Sequence, residues 1–240
     1  MRKFLGTGAV WLVASAALLA ADFWAEKDFA TWSDKEVEKM LTDSPWAKEA
    51  TIVMGGLTAA ADDHFRIEDD PFQAGIGANI GELVEPECGG EQFQRIRRVK
   101  VTVTWASALP IKLALVRRLI RMDEPIPAED QEMVTREDPF YTVAVVGLPA
   151  PFAALEPLLD TVEAQTMLRR GNKTPIAPAN VQLFRNEADQ SVLIEYKFPK
   201  TEALTMDDAD VEFVTTLGIT SEIRKRFKLK EMVFGNQLAL

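Results

Sequence analysis

Residues Arg95 to Trp105 alternate. Val99, Val101, Val103 and Trp105 occupy every second position, with Lys100, Thr102 and Thr104 between them. Successive side chains of a strand point to opposite faces, so this pattern demands one buried face and one polar face. Such a strand needs neighbours on its edges and an apolar layer over its inner face. Six further runs can supply them: Ala50 to Met54, Phe140 to Gly147, Val181 to Phe184, Ser191 to Phe198, Glu212 to Leu217 and Glu222 to Leu229. Phe140 to Gly147 (FYTVAVVG) has little polar relief and reads as a central strand. Val192, Ile194, Tyr196 and Phe198 share one face of their run. Gly218-Ile219-Thr220 reads as a three-residue hairpin loop between the last two strands.

Three stretches read as helices. Ser33 with Glu36 has the S-x-x-E form of a capping box, and Val37, Met40 and Leu41 follow as an apolar stripe. Ser44-Pro45 is a second helix-start signal. Beyond Pro110, Ile111, Leu115, Leu119 and Met122 share a face, with Val116 and Ile120 beside it. Lys112, Arg117, Arg118 and Arg121 lie mostly opposite, as on a helix packed against a sheet or lying on a membrane surface. Pro157 opens a third helix running to Arg170, with Leu158, Leu159 and Val162 inward and Gly171 at the C′ position. The expected fold is α+β: a largely antiparallel sheet of about seven strands, two main helices and a short N-terminal helix. Residues 22–240 read as a single domain; a two-lobed split near 123–138 is the alternative.

Met1 to Ala21 has the form of a signal peptide. Arg2 and Lys3 give the charged start, Phe4 to Leu19 the apolar run, and Ala20-Ala21 small residues at the cut. The expectation is export to the periplasm or beyond, with no integral membrane association once the leader is removed. The formal charge is −10, and loss of the two cations Arg2 and Lys3 takes it to −12. That balance argues against general binding to nucleic acid, itself a polyanion.

The residue inventory restricts the chemistry. Cys88 is the only cysteine and His64 the only histidine, so no intrachain disulfide can form. Zinc normally takes His or Cys at most ligand positions, which this chain cannot supply. A thiol or serine hydrolase would depend on His64, beside Asp62-Asp63. Residues 57–92 read as a long loop, within which Gly75, Gly77 and Gly81 depart from the dinucleotide-binding spacing. Asp207-Asp208-Ala209-Asp210 is acidic but lacks the calcium-loop frame. Asn172-Lys173-Thr174 is a formal glycosylation sequon. No catalytic set, metal site or cofactor is expected. Two groups are candidates for binding. Trp32, Trp46 and Trp105 are either core anchors or a stacking platform for a small apolar or carbohydrate ligand. Arg224, Arg226, Lys228 and Lys230 would share one face of a strand, either as an anion-binding surface or as partners of acids on neighbouring strands.

The pattern Trp32…Glu36-Val37…Leu41…Ser44-Pro45-Trp46-Ala47 resembles the opening of a family of uncharacterised exported bacterial proteins, some labelled GWxTD-domain proteins. Thr31-Trp32-Ser33-Asp34 is the piece nearest to the GWxTD string. The resemblance continues at Thr104 to Lys112, at Val211 to Val214 and at Lys225 to Lys230. It implies export and no known activity. The expected role is non-catalytic, structural or in contact with an unknown protein partner; a ligand binder is the alternative, and a hydrolase ranks behind both.

Overall fold

The computed structural model describes residues 23–54, 97–120, 134, 138–218 and 221–240. The expected leader, the expected loop over 57–92 with His64 and Cys88, Arg121, Met122, most of 123–138, and Ile219-Thr220 lie outside the described residues.

The strands form antiparallel sheets. β1 (Ala47–Met54), β2 (Arg97–Trp105), β3 (Phe140–Leu148), β6 (Asn180–Arg185) and β7 (Val192–Pro199) make a five-stranded sheet in the order β1-β2-β3-β7-β6. The least polar run, β3, takes the central place. A second sheet has the order β5-β4-β8-β9, from β4 (Met167–Arg170), β5 (Lys173–Ile176), β8 (Asp210–Leu217) and β9 (Ser221–Lys228). A small C-terminal hairpin joins β10 (Val233–Phe234) to β11 (Gln237–Leu238). Among the described residues the expected single sheet of about seven strands is three sheets, of five, four and two strands.

The two large sheets meet through alternate side chains. Val101, Val103 and Trp105 of β2 are buried, as are Val192, Ile194, Tyr196 and Phe198 of β7. Against them stand Val211, Phe213 and Leu217 of β8 with Ile223 and Phe227 of β9. Aromatic rings cross the gap edge to face: Trp105–Phe227 at 5.5 Å between centroids, Tyr196–Phe213 at 5.2 Å and Phe198–Phe213 at 6.3 Å. This is the favoured geometry for ring quadrupoles. At one margin β1 runs beside β9, and the Ser221 hydroxyl donates to the Val53 carbonyl at 2.9 Å.

Four α-helices are seen in full among the described residues: α1 (Phe23–Glu26), α2 (Asp34–Thr42), α3 (Leu109–Leu119) and α4 (Leu159–Ala164). The capping box on α2 forms: Glu36 accepts from the Ser33 amide at 2.8 Å, and the Ser33 hydroxyl accepts from the Glu36 amide. None of the helices is long and apolar enough to cross a membrane.

Three local expectations are corrected. Ser44-Pro45 starts no helix. Ser44 and Ala47 bond to each other through both backbone groups, and the Ser44 hydroxyl accepts from the Trp46 and Ala47 amides. Ser at the first and Pro at the second position suit a β-turn as well as a helix start, and the β1 residues that follow decide it. On α3 the buried side is Pro110, Ile111, Leu113, Ala114, Val116 and Arg117, while Leu115 and Leu119 face outward. The helix is turned because α2 and the 3-10 turn Phe29–Thr31 pack on it. Arg117 tolerates this burial partly by donating to the Ile120 carbonyl at the helix end. Finally, the helix expected over 157–170 ends at Ala164. Pro157 lies inside a 3-10 segment, Ala150–Leu158, and Met167–Arg170 is strand β4. Met, Leu and Arg favour helices, but pairing with β8 overrides that preference. Gly171, at φ +47°, turns the β4–β5 hairpin instead of ending a helix.

Candidate functional site

The three candidate tryptophans offer no platform. Trp32, Trp46 and Trp105 are each 0% exposed. Trp32 donates its indole N–H to the Lys27 carbonyl at 3.3 Å, and Trp46 donates to the Ala239 carbonyl at 2.7 Å. Phe23 packs edge-on against Trp24 and Trp32, and Trp24 against Trp46. Stacking a ligand needs an exposed ring face, and these rings spend theirs on the core.

On β9, Arg224, Arg226 and Lys228 do share an outward face. Lys230 leaves the row, because the strand ends at Lys228 and a 3-10 turn, Leu229–Glu231, follows. The row is accompanied by acids. Arg224 pairs with Glu222 at 2.6 Å and Lys228 with Glu231 at 2.8 Å. Arg226 lies 3.9 Å from both Asp210 and Glu212. Glu212 also faces Arg169 of β4 at 4.0 Å, so a carboxylate stands between two cations across three strands. These pairs hold Arg224 and Lys228 above their ordinary pKa values, through Glu222 and Glu231 respectively.

The acidic run 207–210 diverges. Asp207 is exposed, Asp208 turns inward to Lys173, and Asp210 faces the β9 cations. Among the described residues no three His, Cys, Asp or Glu side chains converge as a metal site would require.

A concave feature lies elsewhere among the described residues. A shallow groove of about 340 Å³ lies between α4 and the β4–β5 hairpin. Asp160, Glu163 and Ala164 of α4 form one wall; Pro175, Ala177 and Pro178 form the other; Thr166 and Met167 lie between. Among the described residues neither the Asp160 nor the Glu163 carboxylate has an ion-pair or hydrogen-bond partner.

A buried chain of hydroxyls and a set of charges, part buried and part exposed, hold the walls. The Thr166 hydroxyl lies 2.6 Å from the Val162 carbonyl, which accepts from it, and 2.7 Å from the Thr215 hydroxyl. Thr215 in turn reaches the Tyr196 hydroxyl at 3.4 Å, tying the end of α4 to both large sheets. Burial pushes the Tyr196 phenol well above its ordinary pKa. At the far end of the hairpin, buried Arg170 donates to the Thr174 carbonyl at 3.0 Å and to Glu202. Lys173 sits 2.5 Å from Asp208. Burial works against the Asp208 carboxylate, but Lys173, the Thr205 amide and Arg170 outweigh it and keep the group below its ordinary value. The hairpin wall is thus pinned by charge at one end and the α4 wall by hydroxyls.

Sequence reasoning missed this groove. An acid pair at i, i+3 and a Pro-x-x-Pro spacing are each commonplace. They face each other only because residues 167–176 turn back as a hairpin, which the helix expectation over 157–170 had erased. No protein-family model, curated protein or solved structure matches this chain. The fold itself defines an α+β protein whose two main antiparallel sheets face each other.

Proposed function

We propose that this is an exported, non-catalytic protein that works by holding a protein partner, in keeping with the exported bacterial family its sequence resembles. The observation that carries the reading is the groove. It pairs an apolar wall with two unpartnered carboxylates, and its walls are fixed from beneath. A preformed, mixed apolar and charged surface suits recognition of another chain. Sheet edges are less suited. β9 lies against β1, β6 packs against α4, and β5 carries Pro175, which lacks the N–H that an added strand would need.

Site-directed photo-crosslinking in the native host tests this. In a Cys88→Ser background, Ala177→Cys carrying a benzophenone should give a discrete adduct with another protein. Glu38→Cys, on the far helix α2, should not. Absence of adducts from every groove position, with the protein present at normal levels, would overturn the reading.

A further inference from the structure

We draw no further inference here: the strongest candidate, the outward stripe of α3 where Leu109, Leu115 and Leu119 are exposed beside Arg118, is an apolar helix face, and nothing among the described residues shows what covers it.

Discussion

At the scale of single residues, Trp46 joins two distant parts of the chain. Its ring is fully buried, and its indole N–H donates to the Ala239 carbonyl, 193 residues away. Trp46→Ala should therefore cost roughly 3–5 kcal/mol in denaturant titration. Trp46→Phe should keep much of the packing and lose the hydrogen bond, for about 1–3 kcal/mol. A loss below about 0.5 kcal/mol on truncation, typical of surface positions, would contradict the observed burial. Glu36 gives a second test, in pH. The Lys27 ammonium, then the Ser33 amide and hydroxyl, push its pKa from the ordinary 4.5 down to about 2. A depressed carboxylate stabilises the fold above its unfolded pKa and ceases to do so as pH falls through the folded one. The capping box should thus contribute fully above pH 4.5 and weaken between there and about pH 2. Carboxyl NMR titration should find Glu36 near the lower value, moving up toward 4.5 in Lys27→Ala. A wild-type value at 4.5 would remove the ion pair from the account.

At the scale of elements, period-two patterns were legible because each strand pays out its pattern on one buried face. β2, β7, β8 and β9 all match runs visible in the sequence. β4 and β5 were not legible. Each is four residues long, too short to display a period, and β4 is composed of helix-favouring residues. Its pairing with β8 on one side and β5 on the other makes it a strand. The groove vanished from view with it, since Pro175 to Pro178 become a wall only when the hairpin closes. The outward face of β9 shows a different limit. The alternation placed Arg224, Arg226 and Lys228 together, but the strand's end, which removes Lys230, has no marker in the sequence. Nor could the sequence say which acids would lie opposite. Since Asp210, Glu212, Glu222 and Glu231 accompany the cations, a heparin column should not retain the protein at about 50 mM salt, where screening is still weak. Retention that disappears in Arg224→Ser with Arg226→Ser would instead establish an anion-binding face.

At the scale of the whole molecule, the question is whether the two large sheets can unfold separately. Their contact is made of rings from both. Phe213 of β8 touches Tyr196 and Phe198 of β7, and Phe227 of β9 touches Trp105 of β2. Thr215 reaches Tyr196 by hydrogen bond, and Ser221 ties β9 to β1. Separating the sheets would expose all of these at once, so partial unfolding along this seam should be as costly as losing the core. The tryptophans make this testable, because every one stands at or before position 105. Intrinsic fluorescence therefore reports on the N-terminal helices and β2, while far-UV circular dichroism reports on all strands. The two probes should give one coincident transition in denaturant, as a two-state unit does. Phe213→Leu, which touches no tryptophan directly, should move both by the same amount, within the roughly 0.5–3 kcal/mol usual for a core substitution. If the dichroism midpoint fell while the main fluorescence transition stayed in place, with only the part due to Trp105, which packs on Phe227, moving early, the four-stranded sheet would be unfolding alone. The molecule would then be two lobes in contact, with the aromatic seam as an interface between them and not the centre of one core.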